Sequence, residues 1–508
     1  MDVWANIATG FDVAFSAQNL MYCFLGVFLG TFFGALPGIG SLAAVSMLLP
    51  ITFYLDPTTA LVMLGGVYYG AEYGGSTSSI LLNLPGTPSN AVTCLDGYPM
   101  TQQGRSGVAL FATTIASFFG GTFGILMLYS LAPLIVQWAL EFGPAEYFAI
   151  MVFGLVAAAT VTQDAPAKGL AMVVAGMLLG TIGADLNTGI ARFTFGYFEL
   201  HEGISFIALA MGLFGVSEVI LSIGQKIDKP FIQAVTFRSM IPRRDEVRRS
   251  GMPMLRGAGL GAFFGALPGT GPSIATFIGY AIEKRLSKHP EEFGKGAIEG
   301  IMSPESANNA AVQSAFIPTM TLGIPGSATM AVMMGALLIH GIQPGPQLME
   351  RNPDIFWGLA ASFWIGNVML LVLNIPLIGV WVRLLKIPYG ILYPAVLCFI
   401  CIGVYTVRTS AFDVVLVLAF GFAGYVLRLL RFELAPLLIG FILGPMVEEN
   451  FKRAMLIYRG DFTEMLTRPI SGTLLAMTAL LLVWTTWVIL RDSRRNRRKE
   501  HLTGGADD

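Results

Sequence analysis

Apolar runs follow one another along this chain near 20–36, 41–55, 58–71, 107–140, 144–161, 169–186 and 203–223, and again near 257–282, 307–323, 328–342, 355–382, 389–406, 411–430, 434–447 and 470–490. The longer ones suffice to cross the ~30 Å of a bilayer's hydrocarbon, which takes about 20 helical residues. The runs at 41–55, 58–71 and 434–447 are too short and read as half-helices, re-entrant pieces or broken spans. Charged residues are 12% of the 508, where a soluble chain carries about 25%. That deficit excludes a soluble enzyme, a disordered chain and a nucleic-acid binder. A net charge of −1 offers no field to steer a polyanion. The expected fold is an all-α polytopic membrane protein with about ten to twelve crossings.

The basic residues order these spans. No Lys or Arg precedes Arg105, whereas 225–256 carries Lys226, Lys229, Arg238, Arg243, Arg244, Arg248, Arg249 and Arg256. The tail adds Arg491, Arg494, Arg495, Arg497, Arg498 and Lys499. The central loop and the C-terminus are therefore expected in the cytoplasm and the N-terminus outside, with the basic runs serving topology and contact with anionic lipid. Residues 1–19 have no basic n-region, so the first apolar run reads as a retained span. Cys23 and Cys94 are isolated, and Cys398 and Cys401 read as two buried thiols in a helix rather than a metal site.

An internal repeat divides the chain. Residues 26–40, GVFLGTFFGALPGIG, match 257–271, GAGLGAFFGALPGTG, at eleven of fifteen positions with an offset of 231. LPGTPSNAV at 84–92 is echoed by IPGSATMAV at 324–332 with an offset of 240. The second copy thus holds nine extra residues, part of them expected in EKRLSKHPEEFGKG at 283–296. The domains expected are a first half at 1–224, a basic loop at 225–256, a second half at 257–490 and a basic tail at 491–508. With the first copy entering from outside and the second from the cytoplasm, the halves are expected to be inverted repeats, an arrangement found in secondary transporters.

Both repeated devices interrupt helices. Pro37 and Pro268 remove a backbone donor, and Gly38, Gly40, Gly269 and Gly271 permit turns that other residues resist. In hydrocarbon such breaks persist only where the freed backbone groups are satisfied inside protein or beside a watery cavity. A helix restarting there presents bare N–H groups and about half a positive charge, which suits an anion. The second device adds hydroxyls and amides: Ser76–Ser79 precede Leu84–Asn90, and Pro304–Asn309 with Pro318–Thr321 precede Ile324–Thr329. Gly86, Thr87, Ser89 and Asn90 from one half, with Gly326, Ser327 and Thr329 from the other, are the candidate contacts for an anionic substrate. Backbone near Gly38, Gly40, Gly269 and Gly271, with Asn308 and Asn309, is the candidate seat of coupling cations. Glu72 and Glu305 interrupt apolar surroundings, and such carboxylates are functional candidates by default. At an offset of 233 they align with one another; a helix-end carboxylate facing water is the other reading. Asp164, Lys168 and Asp185 read as flanking span ends. No GxSxG, HExxH or GxxxxGK[ST] occurs. His201 and His340 have no motif partner, so no enzyme activity is expected.

At GALPGIG (34–40), YYGAEYGGSTSSILLNLPGTP (68–88), DGYPMTQQGRSG (96–107), GALPGTG (265–271), PESANNA (304–310), TLGIPGS (321–327) and GFILGPMVEENFKRAM (440–455), the chain resembles the large membrane subunit of the tripartite tricarboxylate transporters, the TctA family. The resemblance implies a permease of the inner membrane that works with a small integral membrane subunit and a periplasmic solute-binding protein. It implies organic carboxylates as substrates, taken up with Na⁺ or H⁺, and no other cofactor. Homo-oligomers are compatible with all of this. The alternative reading from the residues is a passive anion channel or a structural membrane component, for which repeated helix breaks are equally suitable.

Overall fold

A computed structural model describes residues 3–160, 166–185, 189–223, 237–384 and 389–503. Asp164, Lys226 and Lys229 lie outside the described residues. The chain is 80% helical, and the strand pairing among described residues is a two-residue match of Gly183–Ala184 with Ala191–Arg192. Five helices are long and apolar enough to cross a membrane, and shorter apolar helices of 10–17 residues accompany them. This is an all-α polytopic membrane protein.

Hydropathy misjudged some helix lengths. Gly40–Thr52 is indeed a half-span of 13 residues. Pro57–Leu82, however, runs unbroken for 26 residues, and Ala435–Ile457 for 23. Their polar second halves ended the apolar runs without ending the helices. In Pro57–Leu82 the hydroxyls of Ser76, Ser78 and Ser79 find acceptors on helix carbonyls or side chains, so the polar stretch remains helical while buried.

The described residues form two compact units. The first comprises 1–140 and 205–426 and contains both copies of both repeated devices. Its helices meet through glycine. A Cβ on Gly26, Gly30 or Gly34 would overlap the backbone of Met63, Val67 or Ala71, and one on Gly257, Gly261 or Gly265 that of Ser303, Ala307 or Ala311. Small residues permit this backbone-to-backbone approach, which lets dispersion and weak hydrogen bonds act over the full contact. The two sets differ by 231 on one helix and by 240 on the other. The offset of 240 therefore already holds across Met63–Ala71, and the extra residues fall before Glu299, where the Gly271–Leu286 helix is followed by a loop. The alignment of Glu72 with Glu305 is thereby corrected: in the packed register Glu72 corresponds to Val312, and Glu305 to Gly65.

Asp96 fastens this loop to the first half. Its Oδ1 accepts the N–H groups of Gly294 (2.8 Å), Gly296 (2.9 Å) and Ala297 (2.8 Å), and its Oδ2 accepts the Tyr280 hydroxyl (2.9 Å). The basic stretch is partly committed inside the protein as well. Arg249 pairs with Glu292 and Glu299, Arg256 forks onto Glu283, and Arg105 reaches Glu246. Cys398 is exposed and Cys401 half-buried on the Tyr389–Arg408 helix, so the pair is not sealed in a core.

The second unit comprises 141–204 and 427–508. Gly176 and Gly440 bring Pro166–Gly180 against Ala435–Ile457 by the same glycine-to-carbonyl approach. Glu146 pairs with Arg468. Lys168 donates to the carbonyls of Leu430 and Arg431. A cavity of about 430 Å³ is walled by Arg192, Lys452, Asp185 and Glu448, which neutralise one another in alternating ion pairs.

Replacing Asp96 with alanine strands three inward-facing backbone donors, each worth about 1–3 kcal/mol when left unsatisfied. Thermal unfolding of the detergent-solubilised protein should fall by about 3 kcal/mol or more, and by less in Asp96→Asn, which keeps one acceptor oxygen.

Candidate functional site

Each half folds its two devices against one another. The helix Pro57–Leu82 ends at Asn83 and the helix Phe316–Leu322 at Gly323, both in the left-handed region with φ of 56° and 70°. These positions are 240 apart, and each leads directly into its [LI]PG corner. Gly38, Gly40, Gly269 and Gly271 also have φ between 62° and 89°, which turns each GALPGxG back toward the corner of its own half. The Gly271 N–H reaches the Gly326 carbonyl at 3.3 Å. In the first half a Cβ on Gly40 would lie 3.8 Å from the Gly86 carbonyl oxygen. The cores of the two motifs, separate in sequence, are thus neighbours in space.

The halves then differ. In the second, Ser327 caps the Ala328–Ile339 helix by accepting the Met330 N–H at 3.3 Å. In the first, Thr87 stands at the equivalent position but caps nothing. Its hydroxyl faces the Glu72 carboxylate at 2.9 Å. Ser89 donates to the same Oε2 at 2.5 Å, and Ser41, the residue after Gly40, donates to Oε1 at 2.7 Å. Asn90 Oδ1 lies 2.5 Å from the Thr87 hydroxyl. Val312 occupies the position equivalent to Glu72, which leaves the Ser327 hydroxyl for the helix end.

Glu305 sits in a second polar nest. Ser76 donates to it at 2.8 Å, Ser117 at 3.2 Å, and Thr93 also reaches it. Asn90 joins the nests: its Oδ1 belongs to the Glu72 side, and its Nδ2 donates to Ser76 Oγ at 2.8 Å. Where the repeat would place a copy of this second nest, Gly65 replaces Glu305 and Phe316 replaces Ser76. There the Phe363 ring closes on Gly65 and packs on Phe316 with centroids 4.6 Å apart. One location is polar and its counterpart is an aromatic plug.

Neither carboxylate faces water, since Glu72 is 2% exposed and Glu305 is 1%. Among the described residues neither has an ion pair. A buried ionised carboxylate is expensive unless a proton, a cation or hydrogen-bond donors answer it. Here the donors are hydroxyls and an amide. Asn309 Nδ2 turns back to the Glu305 carbonyl at 3.1 Å. Asn308 is fully buried, and neither its amide oxygen nor its nitrogen has a partner. Thr329 is buried in the first turn of the Ala328–Ile339 helix. The halves touch where Tyr68 Oη lies 3.5 Å from Ser327 Oγ. Sequence reasoning had singled out Thr87, Ser89 and Asn90, but not Ser41, Thr93 or Ser117 beside them. Adjacency to GALPGxG was the available signal for Ser41. Ser117, within a long apolar span, gave none. His289, Glu291 and Glu292 approach one another at the surface, but Glu292 is engaged by Arg249.

Broken helices, close glycine packing and an interior of hydroxyls around buried carboxylates define a membrane transporter component. The sequence profile of the tripartite tricarboxylate transporter TctA family matches residues 20–439, and the chain belongs to that family. It is 47% identical over 498 residues, 98% of both chains, to the "Uncharacterized 52.8 kDa protein in TAR-I ttuC' 3'region" of Agrobacterium vitis. It is also 49% identical over 234 residues, 46% of this chain and 97% of the other, to the "Uncharacterized protein in TAR-II ttuC' 3'region" of the same organism. No solved structure matches.

Gly75 is where the nest is tightest. A Cβ there would overlap Asn90 Oδ1, whereas the equivalent residue in the second half, Ala315, already carries one. Gly75→Ala is expected to lower stability by about 1–3 kcal/mol, read as a shift in the denaturation midpoint. Ala315→Gly should produce a smaller change.

Proposed function

We propose that the chain is the permease subunit of a binding-protein-dependent secondary transporter of the inner membrane. It takes up a tricarboxylate or related organic carboxylate, coupled to a cation, by alternating access of two inverted halves. The N-terminus faces the periplasm and the C-terminus the cytoplasm. A small integral membrane subunit and a periplasmic solute-binding protein complete the system. The observation supporting this reading is the contact of Tyr68, from the first-half helix that bears Glu72, with Ser327 of the second proline-glycine corner, beside two buried carboxylates that among the described residues have no ion-pair partner.

The anion is received at the second corner, by Gly326, Ser327 and Thr329 at the start of the Ala328–Ile339 helix. That helix supplies N–H groups and a partial positive charge. The first corner, Gly86 with Thr87, Ser89 and Asn90, borders the anion but turns its hydroxyls on Glu72. A multiply charged anion brought near Glu72 and Glu305 requires accompanying positive charge, because helix ends supply only about half a charge each. Coupling follows from electrostatics. The Gly271 N–H ties the second corner through the Gly326 carbonyl, and backbone near Gly38, Gly40, Gly269 and Gly271, with Asn308 and Asn309, lines the cation side.

Two measurements test this. Uptake of radiolabelled carboxylate into proteoliposomes containing all three components should collapse without a cation gradient; persistence without Na⁺ and without a proton gradient overturns the coupled carrier. A Cβ on Gly326 would lie 3.0 Å from that of Ala315, so Gly326→Val should reduce uptake at least tenfold while membrane insertion, read by fractionation, is retained.

A further inference from the structure

The repeat register says where Asn308 looks. At an offset of 240, Tyr68 corresponds to Asn308 and Thr87 to Ser327. The positions equivalent to the Tyr68–Ser327 contact are therefore Asn308 and Thr87. The Glu299–Ser314 helix does pack against the Pro88–Ala91 turn. Asn308 is completely buried, and among the described residues both its amide atoms are unpartnered, a desolvation cost that a ligand can recover. Around Thr87 lies a shell made of oxygen: both Glu72 carboxylate oxygens, the Ser41, Thr87 and Ser89 hydroxyls, and Asn90 Oδ1.

We infer that Glu72, Ser41, Thr87, Ser89 and Asn90 form a binding site for one hard monovalent cation, of which sodium is the type, with Asn308 on its open side. The inference rests on the reading of the chain as a cation-coupled carrier and gives the ion a place. Hydroxyls serve here because each is both donor and acceptor. In the empty shell Ser41 and Ser89 donate to Glu72, and the single Thr87 proton is shared between Glu72 and Asn90 Oδ1. With a cation present they rotate and offer lone pairs. Oxygen ligands select hard cations. The charge of the shell selects valence: it holds one carboxylate. The second, Glu305, is screened from it by Ser76 Oγ and Asn90 Nδ2, whose N–H groups repel a cation. Asn90 thus separates the two carboxylates chemically, keeping oxygen toward Glu72 and N–H toward Glu305. Gly75 fixes that orientation, since any side chain there would collide with Asn90 Oδ1.

The test is a melting-temperature titration of the purified full-length protein with NaCl against choline chloride at constant ionic strength and pH. A ligand that binds only the folded state raises its stability saturably. Wild type should show that rise, and Glu72→Gln should lose it. Ser41→Ala, missing one neutral ligand, should need about tenfold more Na⁺ for half the effect, equivalent to 1.4 kcal/mol. If Glu72→Gln is too unstable to purify, Ser41→Ala and Asn308→Ala carry the test, each expected to move half-saturation upward. A rise unchanged in these variants, or a wild type that responds to pH and not to Na⁺, overturns the site. Loss of the Na⁺ response in Glu72→Gln together with uptake that persists without Na⁺ and without a proton gradient supports the site and overturns the coupled-carrier reading instead. Na⁺-dependent uptake that Glu72→Gln leaves intact keeps the carrier and overturns the site.

Discussion

A carboxylate withdrawn from water needs a proton, a cation or hydrogen-bond donors, and among the described residues the packing around Glu72 and Glu305 provides hydroxyls and an amide. The rest of the first unit can be understood as the means of holding those buried carboxyl groups. Helix backbones pressed together through Gly26, Gly30 and Gly34 fix Pro57–Leu82, the helix that bears Glu72. Gly257, Gly261 and Gly265 do the same for the helix that bears Glu305. Left-handed turns at Asn83 and Gly323 then bring each corner beside the GALPGxG of its own half. Rigidity of this kind matters because an ion shell or an anion cradle works only if its ligands cannot collapse onto one another.

The repeat is faithful in the backbone and unfaithful in chemistry. Glycine stripes, left-handed caps and prolyl corners recur at offsets of 231 and 240. Side chains at the functional positions do not. Thr87 meets a carboxylate where Ser327 caps a helix, and Glu305 occupies a polar nest where Gly65 receives the ring of Phe363. The same scaffold therefore carries one corner turned on a carboxylate and one that caps a helix.

Much of this was legible in the sequence, because the cause was local. Span-length apolar runs report helices directly, and duplicated GALPGxG and [LI]PG segments report breaks through residues with no other use. Helix ends inside polar stretches were harder. Hydropathy cannot see that Ser76, Ser78 and Ser79 are satisfied within the helix, so Pro57–Leu82 looked half its length. The register error at Glu72 had a similar origin: the extra residues sit between the two motifs, and only interlocked backbones say on which side of Glu299 they fall. Ser41, Thr93 and Ser117 reach the carboxylates from three separate segments, a convergence that no spacing rule encodes. The role of Asp96 was equally hidden, because its partners are backbone N–H groups of a loop 198 or more residues away.

Val312 at the counterpart of Glu72 bears on ancestry. A gene doubled in tandem begins with identical copies, and any ionic function present at first would have existed twice. One copy here has the acid and the other an inert aliphatic, so the two halves of the repeat share backbone shape but not charge.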